Sequence, residues 1–221
     1  MTTKAELIYL DPDFPVMLDE LNTAWKEEQQ RRRIFREELT PEMKAEFIEG
    51  QVIMHSPAMA RHILATKHLC ILLQTWVAEH RLGLVTMEKA LVCLTRNDYE
   101  PDIAFFKGFT AQSVSPTLME FPAPDFVVEV ISPSTEHYDR GIKMKDYASH
   151  GVSEYWMVDC KLRIVEQYLL NTEARRYDAP SKHEESARVR SKVIEGFEIP
   201  VAAIFDEHAQ HEAMKEMMKL F

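Results

Sequence analysis

The spacing of hydrophobic positions changes several times along this chain, and each change marks an element. Over residues 16–39 the spacing is helical, with Leu18, Leu21, Trp25, Ile34 and Phe35 as apolar positions in a strongly charged surround. Residues 1–13 carry no such period, and Asp11-Pro12-Asp13 reads as a turn. Thr40-Pro41 breaks the helix. Two short apolar runs, 46–48 and 51–54, flank Glu49-Gly50 and predict a β-hairpin. Ser56-Pro57 ends it. A second helix is predicted over 58–81, where Ile63, Leu69, Cys70, Leu72, Leu73, Trp76 and Val77 form a broad apolar stripe that Leu82-Gly83 terminates.

Beyond that point strand patterns crowd together. Strands are predicted at 85–87, 90–94, 102–106 and 126–131, with a loop containing Pro and Ser over 107–124. A helix is predicted over 135–150, started by Ser132-Pro133-Ser134-Thr135 and stopped by Gly151. Residues 155–158 and 164–170 are further strands, 171–192 a polar loop or hairpin tip, and 194–221 a short strand followed by a Met-rich amphipathic tail. No internal repeat or low-complexity tract is present. Strands mixed with helices in this order predict an α/β or α+β domain, a sheet with helices packed against it.

Composition narrows the function classes. The chain has 221 residues, 46% hydrophobic and 28% charged, enough for one core of moderate size and an appendage. No apolar run approaches the ~20 residues of a membrane span, and the N-terminus lacks a basic region followed by an apolar run. Cys70, Cys93 and Cys160 are far apart and form no CxxC, as expected of reduced thiols in a cytoplasmic protein. The net charge of −10 argues against a non-specific nucleic-acid binder, whose affinity comes largely from phosphate neutralisation. The acid is uneven, however, and residues 140–145 are locally basic. Arg31-Arg32-Arg33 reads as a solvated helix face or a packing arm for a second subunit, with phosphate contact as the sharper alternative.

Candidate chemistry centres on the run 126–131, in which Glu129 is the one charged residue. Alternation puts Val127, Glu129 and Ile131 on one face and Phe126, Val128 and Val130 on the other, so the strand is covered on both sides. A carboxylate buried there needs a compensating cation or donors. Asp102, after Pro101, opens a neighbouring strand and shares a face with Ala104 and Phe106. Two carboxylates at adjacent strand ends can converge on one hard divalent cation such as Mg²⁺ or Mn²⁺. A nuclease also needs a cation near the attacking water. Ile131 stands where a Glu-x-Lys pattern would put lysine, so Lys143, one turn before Tyr147 on the following helix, is the candidate. Salt-bridged structural carboxylates and a solvated lysine are the competing reading.

The run APDFVVEVISPSTEHYDRGIKMKDYASHGVSEYWMVD resembles the signature of the Uma family of restriction endonucleases, within the PD-(D/E)xK nuclease superfamily. EFIEGQVIMHSPAMARH, YEPDIAF and VIEGFEIPVAAIF fit the same pattern in the same order. The resemblance implies a restriction-endonuclease-like fold, a central mixed β-sheet flanked by helices, over 40–206. It leaves 1–39 as a charged helical extension and 207–221 as an amphipathic tail. It implies a Mg²⁺ (or Mn²⁺) site with Asp102 and Glu129 as metal carboxylates, the Val130 carbonyl as a third ligand, Lys143 as the helix lysine, Glu46 as an assisting acid and His62 as an accessory residue. DNA is the implied substrate. A homodimer or higher homo-oligomer is suggested by the charged helix and the apolar tail formed by Met214, Met217, Met218, Leu220 and Phe221. A nuclease fold that binds nucleic acid or a protein without cutting is the alternative, and an oligomer with merely salt-bridged carboxylates is a third. His208 and His211, three apart in an acidic tail with no evident third ligand, make a poor zinc site. HExxH, GxSxG and a Gly-rich phosphate loop are absent.

Overall fold

The computed structural model describes residues 4–109, 114, 115 and 117–220. Helix α1 (Lys4–Tyr9) forms where an irregular segment is expected, and α2 (Phe14–Glu38) follows with a proline in its first turn, where a missing N–H is tolerated. Strands β1 (Ala45–Ile48) and β2 (Gln51–Met54) are the expected hairpin. Glu49 and Gly50, at φ 48° and 83°, supply the left-handed pair that a two-residue turn between twisted strands requires. Helix α3 (Ala60–Glu79) leads to β3 (Gly83–Met87), β4 (Leu91–Cys93), β5 (Asp98–Tyr99) and β6 (Ile103–Lys107), so Asp102 stands just before its strand rather than within it. The expected 107–124 loop contains the short β7 (Glu120–Phe121), and its residues 110–113 and 116 lie outside the described residues.

Strand β8 (Phe126–Val130) is followed by a broken helix. The single helix expected over 135–150 is α4 (Glu136–Tyr138), a π-helical turn (Asp139–Lys143) and α5 (Met144–Ser149). Next come β9 (Glu154–Asp159) and β10 (Ile164–Asn171). The polar stretch expected to be a loop or hairpin tip carries β11 (Arg176–Tyr177), β12 (Ser181–Glu184) and β13 (Arg188–Arg190), the first two pairing antiparallel with β10. Largely exposed edge strands need no hydrophobic alternation, which is why the pattern hides them. Ile194 is not in a strand, because its N–H and that of Val193 turn onto the Ser191 hydroxyl; β14 (Glu198–Pro200) pairs with β13 further on. Helices α6 (Ala202–Phe205) and α7 (Glu207–Met218) complete the chain.

The central sheet runs β11-β10-β9-β8-β6-β3, with β12 also on β10; β8 and β9 are parallel and the other pairs antiparallel. On one face Phe126, Val128, Val130, Ile103 and Phe105 pack against Leu69, Leu72 and Leu73 of α3 and against α6 and α7. On the other, Val127, Ala104, Phe106 and Tyr155 meet Tyr147 of α5 and the residues Ile48, Val92 and Tyr99 of a second sheet, β2-β1-β5-β4-β7. Burial on both faces explains the near-continuous apolar run of β8. The mixed α/β class expected from the sequence is the one observed. Its second covering layer is largely a sheet rather than helices.

Ion pairs together with Phe35, one of the expected apolar positions, dock α2. Leu18, Leu21, Trp25 and Ile34 are exposed, whereas Glu28, Arg32 and Phe35 are buried. Arg32 and Arg36 both grip Asp98 of β5 through two hydrogen bonds each, at 2.6 and 2.9 Å. Arg96 holds Glu28 at 2.7 Å. Arg32 is thus an anchor, neither solvated nor open to phosphate. At the other end, Ala213 and Met217 of α7 enter this chain's own core, while Met218 and Leu220 are exposed and Phe221 lies outside the described residues.

Candidate active site

Glu129 is the fourth residue of β8 and faces the second sheet across the broken helix. Its neighbours come from three elements. The Lys143 ammonium, at the end of the π-helical turn, is 3.1 Å from Glu129 Oε1, 2.8 Å from Glu46 Oε1 and 3.2 Å from Asp139 Oδ1. Tyr147, one turn on, donates its hydroxyl to Glu129 Oε1 at 3.3 Å. Glu46, second in β1, also accepts the Glu100 N–H at 2.9 Å and lies 3.2 Å from His55 Nε2. All four charged groups are buried.

Asp102 forms an adjoining cluster. Its Oδ2 accepts the Val130 N–H at 2.8 Å, so the backbone of the Glu129 strand itself fixes the second carboxylate. Its Oδ1 lies 3.2 Å from His62 Nε2, near the start of α3, and 3.3 Å from the Lys44 ammonium. Pairing of β6 with β8, Ile103 opposite Val128, brings the two clusters together.

The electrostatics separate the two carboxylates. Burial opposes ionisation of Asp102, but the His62 hydrogen bond and charge, the Lys44 ammonium and the Val130 N–H outweigh it and hold the carboxyl down at about 2. For Glu129, burial wins. The carboxyl is pushed well above the usual range despite Lys143, with Asp139, Asp102 and Glu46 adding to the rise. Burial also raises Asp139 against the pull of Lys143. Glu46 stays below its ordinary value because Lys143 and His55 overcome its burial. Lys143 is raised: burial alone would lower it, but Glu129, Glu46 and Asp139 hold it charged.

Both clusters open on a cleft of ≈ 500 Å³ lined by Lys44, His62, Asp102, Glu129, Asp139 and Lys143 among others. Besides the His55 and His62 imidazoles and the Cys160 thiol, the donors there are mainly carboxylate oxygens, the kind that hard divalent cations take. Glu129 is raised chiefly by burial and further by the neighbouring carboxylates, and a bound cation would offset both, so the residues fit such an ion. Among the described residues, no three His, Cys, Asp or Glu side chains are already gathered to hold one.

Of the residues expected from the sequence, Glu46, Glu129 and Lys143 meet directly, and Asp102 and His62 meet beside them. The Val130 contact seen is through its N–H. Asp139 and Lys44 are missing from the sequence reading. Asp139 stands four before Lys143 in a helical segment, and Lys44 two before Glu46 in a strand pattern, so both share faces with residues already named. Glu100, buried beside Glu46, is pushed up to about 7 by burial and by the Glu46 charge, against Lys44.

The Uma2 family, described as "Putative restriction endonuclease", matches residues 22–202. The chain belongs to the Uma2 family. The match takes in α2 from Asn22 onward and every residue of both clusters. Among solved structures, this Uma2 chain is similar to one from Anabaena variabilis ATCC 29413 described as a putative nuclease belonging to DUF820. The TM-score is 0.65 at 17% identity, covering 77% of this chain and 94% of that one. At that identity the likeness is one of fold. No curated protein matches the chain. Family and fold together support a nuclease.

Proposed function

We propose that this Uma2 protein is a metal-dependent endonuclease that hydrolyses phosphodiester bonds in DNA at a PD-(D/E)xK-type site. The observation that carries the reading is Glu129, buried at the floor of the cleft, beside Asp102 and against Lys143. Asp102 and Glu129 would hold the ion through carboxylate oxygens, with the Val130 carbonyl as a further ligand. A bound Mg²⁺ or Mn²⁺ supplies charge stabilisation at the phosphate and a more acidic water.

This chain's own residues do the rest. Lys143, held charged by three carboxylates, is a donor and a positive charge rather than a proton acceptor; it orients the attacking water and offsets phosphate charge. Glu46 and Asp139 fix that ammonium in place. Tyr147 orients the Glu129 carboxyl, and His62 orients Asp102. Cleavage of a DNA plasmid with Mg²⁺ or Mn²⁺ tests the reading. Asp102→Ala and Glu129→Ala are each expected to lose at least ~100-fold in rate, and equal cleavage by all three proteins would defeat it.

A second reading draws on the same contacts. Lys143 and Lys44 already neutralise much of the acid, and the net charge is −10. A nuclease fold that binds nucleic acid or a protein partner without cutting fits these facts. Tight Mn²⁺ binding with no turnover on DNA or RNA would favour it.

A further inference from the structure

Two lysines reach the cleft under opposite constraints. Lys143 is locked among three carboxylates within 3.2 Å, with 2% of its side chain exposed. Lys44 has fewer close partners and more exposure. Its ammonium is 3.3 Å from Asp102 Oδ1 and 4.0 Å from Glu88, and 23% of its side chain is exposed. It lies immediately before β1 and lines the cleft.

Asp102 uses its two oxygens differently. Oδ2 takes a backbone N–H, a donor fixed by the sheet. Oδ1 carries Lys44 and His62, so a partly exposed ammonium occupies an oxygen that a metal ion would use. Apart from Arg61, exposed at the rim, the other charged side chains lining the cleft are acidic, Glu42, Glu88, Glu100 and Asp139 among them, so a phosphate reaching Asp102 meets repulsion unless a cation beside it is free to receive it. A compact ammonium on a flexible four-carbon stem suits such a transfer.

We infer that Lys44 is an exchangeable counter-ion. In the metal-free protein its ammonium neutralises Asp102; when a divalent cation takes Asp102, it turns into the cleft and binds a non-bridging phosphate oxygen of the substrate. This role rests on the metal reading of Asp102 and Glu129 given above. It differs from the role of Lys143, which has no freedom to move.

The test uses the full chain as wild type, Lys44→Met and Lys44→Arg, with thermal melts to establish folding. Calorimetric titration with Mn²⁺ alone reads metal affinity; cleavage of a labelled DNA oligonucleotide at saturating Mn²⁺ reads KM and kcat. With its competitor gone, Lys44→Met is expected to bind Mn²⁺ about tenfold tighter while its KM for the oligonucleotide rises about tenfold. Lys44→Arg should stay near wild type in both. A residue that merely supports the fold would weaken both together, so opposite movements are the signature. Unchanged or weaker Mn²⁺ affinity in a folded Lys44→Met protein, or an unchanged KM, overturns the role. If Lys44→Met does not fold, Lys44→Gln carries the same test. Wild type that binds Mn²⁺ while the neutral variant binds it no tighter sinks Lys44 alone. Wild type that binds no Mn²⁺ sinks the metal reading, and this role with it.

Discussion

Replacing Lys143 by Met removes the ammonium that Glu46, Glu129 and Asp139 share, while a side chain of similar length still fills its space. The three ion pairs it breaks span 2.8, 3.1 and 3.2 Å and are buried, so they are not screened as surface pairs are. Stripping one partner from a buried ion pair costs roughly 3–5 kcal/mol, because the remaining charge stays out of water. Protonation limits that cost here. Burial already raises Glu129 and Asp139, and loss of Lys143 raises them further. A carboxyl whose folded pKa lies above its unfolded value of about 4.3 destabilises the fold progressively as pH rises from there, so the penalty must shrink on acidification. Urea unfolding at pH 7 and pH 5 measures both quantities. The expected loss is roughly 3–5 kcal/mol at pH 7, equivalent to about 6–20 °C in Tm for a chain this size, and visibly less at pH 5. Adding Glu129→Gln should restore part of it. A loss under ~1 kcal/mol at pH 7, or one that grows at pH 5, would refute the claim that this lysine neutralises the cluster.

Other outcomes follow from the same structure. Asp98 is held below the carboxylate range because Arg32 and Arg36 outweigh its burial, so its contribution is complete above about pH 4 and is lost as pH falls through the lower folded value. Asp98→Asn should melt earlier at pH 6 yet show a flatter decline between pH 4 and pH 2; parallel curves would exclude this account. Arg32→Met should cost roughly 3 kcal/mol by the same burial argument, read by urea unfolding. Gly83→Ala puts a Cβ against the Phe106 carbonyl and 2.8 Å from Phe105 Cε2, so β3 must shift from β6; a loss of about 1–3 kcal/mol is expected. The exposed apolar positions of α2 should drive self-association, and Leu21→Lys with Trp25→Lys should shift sedimentation towards monomer; an unchanged profile rules that helix out as the contact.

The sequence by itself determined the class of fold, the hairpin at Glu49-Gly50, the long α3 and the doubly covered β8, because each is written in local periodicity or turn chemistry. It also pointed to Glu129, Asp102 and Lys143, since acid in an apolar strand has to be compensated somewhere; Glu46 and His62 entered only through the family resemblance. Only the tertiary structure decided who compensates whom. The approach of Lys143 to Glu46 depends on β1 packing over β8, a contact between residues 97 apart that no local pattern encodes. The partners of Asp102 are the backbone of β8, set by strand pairing, and Lys44 and His62, which come from the segment before β1 and from α3. Docking of α2 misled the pattern for a related reason. Leu18, Leu21, Trp25 and Ile34 face outward, and the charged Arg32 is buried because Asp98, 66 residues away, supplies the geometry that makes burying a guanidinium tolerable.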